Sequence, residues 1–494
     1  MAAPIPDPAY DPLRELDNNK VENIESYRQG GFHPIVIGDI LGGRYGVYGK
    51  LGSGQNSTVW LCLDRRSRGF KWCAVKVMTA ESSTENSNEL WFARILRRLY
   101  LKGSHLSPPW SHFWIEGPNG RHLCFVSEVL GPSVIELAAR NDGEQAKDAM
   151  FQAAEALQCL HQNGICHGNF RPANILFRFP SLGRVNEDGM RNLLGLPRRE
   201  AVVFLNEEAA RRGPRYVYEP KALPIERTNE IAVIDFEEAF EMDYPSHISL
   251  LPQQYNSPET FLDIDLDSRL DIWALMNTIL EVRTGETMFE GDTNQALAQS
   301  FETKLGTMPQ PYNTAAKLRM GEDAGAAQIN VDPGVPVSMP LDQLLDRMGL
   351  ELEGSGFAEI FRAQIGRIAW ITQRDFGQVV SRVPDGETEI LADLLRRSFR
   401  YDPAERLDLA GVMGHEWFAG RKSGVRNPGA FWVLVELFDF IQKDWRVYFY
   451  VLVCVVVYFF YSRWQRREVV SGICKATGVW GWDYSCCFVR IKSY

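Results

Sequence analysis

Three stretches of the chain carry side chains of the kinds that bind or move charged groups. The first is His167-Gly-Asn169-Phe-Arg171-Pro-Ala-Asn174-Ile-Leu176, which sets two side-chain amides and a cation close together. An amide at Asn169 can hydrogen-bond a hydroxyl but cannot take its proton. The second is Leu51-Gly52-Ser-Gly54-Gln-Asn-Ser57-Thr-Val59. Small residues at such a tip let backbone N–H groups come close to phosphates. The third comprises Lys76 in Ala74-Val75-Lys76, Glu89 in Asn88-Glu89-Leu-Trp-Phe-Ala, and Asp235 in Ile231-Ala-Val-Ile-Asp235-Phe236-Glu237. A glycine tip alone is a weak signal; with a lysine and acids placed after it, the pattern points to a site for phosphate chemistry.

Periodicity predicts the elements that must hold these residues. Apolar residues alternate on both sides of Gly52 and Gly54, as in a β-hairpin. His122-Leu-Cys-Phe-Val-Ser127 is an apolar strand running into Glu128-Val129-Leu130-Gly131. Residues 146–161 have helical spacing and lead into the His167 stretch. Ser268-Arg-Leu-Asp271-Ile-Trp273-Ala-Leu-Met-Asn-Thr-Ile-Leu-Glu281 reads as a buried helix. Residues 178–230 read as a loop-like insert rich in Gly, Pro, Asn and Arg, and 291–388 as a second insert. Residues 1–26, rich in proline and charge, read as a mobile arm.

Composition narrows the function classes. The 494 residues are 45% hydrophobic and 23% charged, as in a globular protein. The nine cysteines are scattered without zinc-ligand spacing, and the first residues lack the basic and apolar runs of a secretory signal. Net charge is −10, and the tail from Arg421 carries +6, so residues 1–420 carry −16. An acidic body disfavours nucleic acid as partner and suits a basic peptide.

The His167 stretch resembles the catalytic loop of protein kinases, H-x-D-x-K-P-x-N. That resemblance implies an α+β, bilobal kinase fold, with a small β-rich N-lobe at 27–130 and a large helical C-lobe at 131–420. It also implies ATP with magnesium. On this pattern Asn169 and Arg171 take the catalytic positions, and Asn174 and Asp235 are the metal ligands. Leu51, Gly52, Gly54, Val59, Ala74, Lys76 and Glu89 serve the nucleotide. Glu128 C=O and Leu130 N–H are adenine contacts at the hinge, and Ser127 gates the back of the pocket. Arg406 is the ion-pair partner of Glu259. More narrowly, Gly30-Gly-Phe-His-Pro, Ile37-Gly-Asp39, Gly43-Arg-Tyr45 and Leu51-Gly-Ser-Gly-Gln-Asn-Ser-Thr-Val-Trp60 are similar to the serine/arginine-rich-protein-specific protein kinases. The likeness covers about residues 27–420 and implies basic Arg/Ser-rich protein substrates.

The chain departs from that pattern at telling places. Asn169 stands for the catalytic Asp, Arg171 for the Lys and Glu237 for the Gly of the metal motif. Gly168 replaces an arginine that reads activation-loop phosphate, and Gln253 and Asn256 replace arginines near Pro258-Glu259. Three readings stay open: a slow serine/threonine kinase, a nucleotide-binding pseudokinase, and a membrane-tethered scaffold.

Past residue 420 the kinase pattern stops. Val447 to Ser462 is an uncharged run of 16 residues flanked by Trp445 and Arg446. With these flanks, 445–462 is expected to be a transmembrane helix with the kinase domain cytosolic, an orientation that sets the more basic flank, Arg463, Arg466 and Arg467, outside, against the positive-inside rule. The alternative is a soluble protein of cytoplasm or nucleus with a buried strand here.

Overall fold

The structure, a computed structural model, describes residues 13, 16, 21–99, 104–140, 142–179, 182–223, 228–244, 253–262, 266–291, 293–310, 312–313, 315–316 and 385–421. The chain divides into two units, Met1–Gly424 and Val425–Tyr494, and every described residue lies in the first. The segment 445–462 therefore lies outside the described residues. Among those residues no helix is long and apolar enough to cross a membrane.

The N-terminal lobe is an antiparallel sheet. Its strands are β1 (Ile40–Leu41), β2 (Tyr45–Ser53), β3 (Ser57–Asp64), β4 (Trp72–Met78), β5 (Ser111–Gly117) and β6 (Gly120–Ser127), in the order β1-β2-β3-β4-β6-β5. Period-two alternation puts Trp60, Cys62, Cys73, Val75, Val77, Cys124 and Val126 into one core face. Helix α1 (Asn88–Leu99) interrupts the strands. Its Leu90 packs on Met78, Leu123 and Phe125 of the sheet. That contact fixes the face on which Glu89 sits.

The C-terminal lobe begins with β7 (Leu130–Ser133), α2 (Glu136–Arg140) and α3 (Gly143–His161). The side chain of Asp142 caps α3 by accepting from Gln145 N–H at 2.9 Å. Next come β8 (Ile165–Cys166) and β9 (Ile175–Arg178), which flank the loop carrying Asn169. Later strands close over that loop: β12 (Ile231–Val233), which follows the insert, pairs with β9, and β13 (Phe240–Glu241) pairs with β8.

The region read as a loop-like insert is folded. It holds α4 (Glu187–Leu194), β10 (Arg199–Ala201), α5 (Glu207–Arg212) and β11 (Tyr216–Tyr218), with β10 and β11 forming a hairpin. Its apolar residues are short runs whose partners are distant in sequence, so periodicity did not show them. Met190, Leu194 and Leu223 join Leu61, Trp72 and Val129. Val202, Ala209 and Val217 join Leu16, Val21, Ile24, Tyr27 and Phe32. The last six positions of the expected mobile arm are thus anchored: Glu22 is buried, accepts from Tyr27 Oη at 2.5 Å and pairs with buried Lys50 on β2.

The lobe is completed by α6 (Pro258–Leu262), α7 (Arg269–Thr284), α8 (Asn294–Leu305), α9 (Asp385–Ser398) and α10 (Leu409–Met413). Helix α7 is buried along almost its whole length, as its near-continuous apolar sequence predicts. Its Trp273 stacks on Phe289 at 4.9 Å and meets Phe301 and Phe399 edge-on. Phe301 belongs to α8, so the start of the second insert is core structure rather than an excursion. Residues 317–384 of that insert lie outside the described residues.

Candidate active site

The β2–β3 hairpin forms the glycine tip. Gly52 stands opposite Val59 and Ser53 opposite Thr58, and Gly54 N–H donates to Ser57 O at 2.8 Å. Val59 in turn stands opposite Lys76, and Ala74 opposite Ser127. One sheet thus carries the hairpin, the lysine and the entry to the inter-lobe connection, which explains residues so far apart in sequence meeting. Leu51 packs against the cluster that holds Leu61, Trp72 and Val129. The carboxylate of Glu128 pairs with Arg178, and Leu130 opens β7 opposite the same arginine.

Lys76 is the centre of the site. Its Nζ lies 2.7 Å from Glu89 Oε2, 2.9 Å from Asp235 Oδ1 and 3.8 Å from Glu237 Oε2. Burial opposes the charge on Lys76, but Asp235, Glu89 and Glu237 outweigh it and hold the ammonium well above its ordinary value. Burial pushes Glu89 up to about 7, against the pull of Lys76. Burial also works against Asp235, yet Lys76 keeps that carboxylate below its ordinary value. Asp235 adopts φ +69°, a left-handed conformation uncommon for a non-glycine residue.

The loop after β8 brings Asn169 to the same place. Asn169 Nδ2 donates to Asp235 Oδ2 at 3.1 Å, while its buried Oδ1 has no hydrogen-bond partner among the described residues. Asn174 Nδ2 donates to the Asn169 carbonyl at 2.8 Å, closing the loop on itself. Arg171 lies alongside; its charge acts on Asp235, Tyr255 and Glu281. The structure brings Lys76, Glu89, Asn169 and Asp235 together directly, and Asn174 through the loop backbone.

Three further residues shape the site. Asp271, at the start of α7, accepts from His167 N–H at 2.8 Å and Gly168 N–H at 3.0 Å. It also meets His161 Nε2 at 2.9 Å, so one buried carboxylate fixes the loop. Its place among polar residues opening an apolar helix was the available signal. Asn56, at the hairpin tip, donates to Glu237 Oε1 at 3.3 Å, a contact between lobes that spacing could not show. Gly168 has φ +74°, and a Cβ there would lie 2.2 Å from Glu238 O. The glycine at the phosphate-reading position is thus demanded by the backbone of this chain.

Comparison with known proteins agrees with this geometry. No family model matches the chain. The serine/threonine-protein kinase spk-1 of Caenorhabditis briggsae is 34% identical over 182 residues, which are 34% of this chain and 16% of that protein. The serine/threonine-protein kinase SRPK of Physarum polycephalum is 26% identical over 326 residues, 61% of this chain and 76% of its own length. Human SRSF protein kinase 3 is 33% identical over 190 residues, 36% of this chain and 32% of its own length.

The chain is similar to protein kinases of the SRPK family. It spans less than a fifth of the two nematode spk-1 relatives, at 16% and 18% of their lengths. Glu259 and Arg406 form the ion pair expected from the kinase resemblance, bidentate at 2.5 and 2.6 Å and wholly buried.

Proposed function

We propose that this chain binds ATP with magnesium and transfers the γ-phosphate slowly to serine or threonine hydroxyls of proteins. The observation that carries this reading is Lys76 gripped by Glu89 and Asp235 beneath a glycine hairpin, with Asn169 bonded to the same Asp235. The kinase names of its relatives support it. The hairpin amides and Lys76 receive phosphate oxygens, and the backbones of Glu128 and Leu130 receive adenine. Arg171 faces the transferred group.

The residues fit a divalent cation. Three carboxylates surround one ammonium, and Asn169 presents a buried amide oxygen without a donor. Hard cations take such oxygens, and Asp235 with Asn174 would hold the ion. Magnesium, when bound, neutralises phosphate charge. Phosphoryl transfer rests mostly on positioning and charge, which the remaining residues supply. Asn169 orients the hydroxyl but takes no proton, which costs about 10²–10⁴ in rate. The −16 charge of residues 1–420 favours basic, Arg/Ser-rich substrates.

The test is isothermal titration of MgATP beside radiolabelled transfer to an Arg/Ser peptide. Binding is expected in the native chain, weakened in Lys76→Met, with transfer rising about 10²–10⁴-fold in Asn169→Asp. Binding without transfer in either chain would leave a nucleotide-binding pseudokinase; no binding at millimolar ATP would remove both readings. We also propose that 445–462 anchors the chain in membrane with the kinase domain cytosolic, supported by the uncharged run from Val447 to Ser462. Release by alkaline carbonate would overturn the anchor.

A further inference from the structure

Glu237 is an acid that the site, as a lysine-centred phosphate pocket, does not need. Lys76 is the one ammonium among Glu89, Asp235 and Glu237, whose ligand oxygens lie within 4.8 Å of one another. Lys76 is already committed at 2.7 Å to Glu89 and 2.9 Å to Asp235, and it stands 3.8 Å from Glu237. The other oxygen of Glu237 receives only a 3.3 Å bond from Asn56. Crowding three carboxylates on one cation is costly unless further positive charge arrives. A second observation points to what arrives. Asn169 is 6% exposed, is bonded through Nδ2 to Asp235, and has its Oδ1 buried without a donor among the described residues. A buried amide oxygen cannot be satisfied by acids. It can be satisfied by a cation that prefers oxygen.

We propose that Glu237 is a metal ligand, and that Glu237, Asp235 and Oδ1 of Asn169 bind a divalent cation in the absence of nucleotide. Two of the substitutions that set this chain apart at the site, Asn169 and Glu237, then share one consequence. Asn169 exchanges a negative oxygen for a neutral one beside Asp235, and Glu237 adds a negative oxygen to the cluster around Lys76. Glu89 stays with Lys76, because it is nearly fully buried against it, whereas the Glu237 side chain is 26% exposed and has a path to solvent. The inference rests on the reading of this pocket as a metal–nucleotide site.

The experiment uses the full chain without nucleotide. Manganese(II) is titrated into native protein, Glu237→Gln, Glu237→Ser and Asn169→Ala, reading free manganese by electron paramagnetic resonance, with thermal melts in parallel. Native protein is expected to bind the ion. Each variant is expected to lose at least about tenfold in affinity, while both Glu237 variants melt no lower than native protein when metal is absent. Manganese affinity unchanged by both Glu237 substitutions would overturn the proposal and leave that carboxylate as a latch on Asn56. Native protein that binds MgATP but no free manganese would overturn it too, with the nucleotide reading intact. Failure to bind either ligand would remove the proposal and the nucleotide reading together.

Discussion

Asn169 acts as a donor to Asp235 in this structure, and that role has a consequence for its replacement. Asn169→Asp trades the Nδ2 donor, 3.1 Å from Asp235 Oδ2, for a second carboxylate. The variant that restores a base therefore creates like-charge contact in a buried place. Without metal its stability is expected to fall by ~1–3 kcal/mol, and magnesium is expected to restore most of the loss. Thermal melts with and without magnesium check this; equal melts in both conditions would contradict it. Glu89 offers a pH test. Its folded value of about 7 lies above its ordinary 4.5. A carboxylate raised in this way favours the folded state below the lower value, and that advantage is lost as pH rises through the upper one. The metal-free native protein should therefore lose stability relative to Glu89→Gln between about pH 4.5 and 7. Parallel curves over that range would mean that Lys76 compensates Glu89 fully.

The element that most depends on its neighbours is the loop between β8 and β9. It is short, and its shape is imposed by Asp271 from α7 and by the left-handed turn at Gly168. Gly168→Ala should cost ~1–3 kcal/mol, because its Cβ meets Glu238 O and its φ is strained. The shift in denaturation midpoint measures it. Helix α4 behaves as part of the N-terminal lobe despite its position after the catalytic loop. Met190 is fully buried in the cluster with Leu61, Trp72 and Val129, and Trp72 Nε1 donates to Val185 O at 2.7 Å. Met190→Ala is expected to destabilise by about 2–5 kcal/mol. A near-neutral result by chemical denaturation would mean that the insert can leave the lobe without harm.

At the scale of the molecule, the C-terminal lobe is organised around α7 and a buried ion pair. Arg406 joins Glu259, the carbonyls of Arg400 and Tyr401, and the face of Trp273 at 5.0 Å. It thus ties α6 to the chain after α9. Arg406→Met would leave Glu259 charged, buried and alone, at a cost of about 3–5 kcal/mol. Adding Glu259→Gln should recover part of that loss, since the stranded charge is the larger share of it. A double-mutant cycle on denaturation midpoints reads the coupling directly.

The sequence alone determined the parts whose signal is local. A glycine tip between alternating strands, a lysine one strand later, an acid on the next helix and an Asn-x-Arg-Pro-x-Asn loop are patterns of backbone geometry written in neighbouring residues. Through the kinase resemblance that these and the Pro258-Glu259 stretch carry, the two-lobed architecture, Lys76 with Glu89, and Arg406 with Glu259 were all legible. Tertiary structure decided what depends on partners far apart in the chain. Met190, Val202 and Val217 have no periodic stripe of their own, and they become core only because the N-terminal sheet offers them a face. Glu22 reads as one charge in a polar arm until Lys50 and Tyr27 enclose it. Asn169 and Glu237 read as two separate losses from a motif. Folding places one amide and the other carboxylate around Asp235 and Lys76, where distance and burial, which no spacing rule encodes, set their electrostatics.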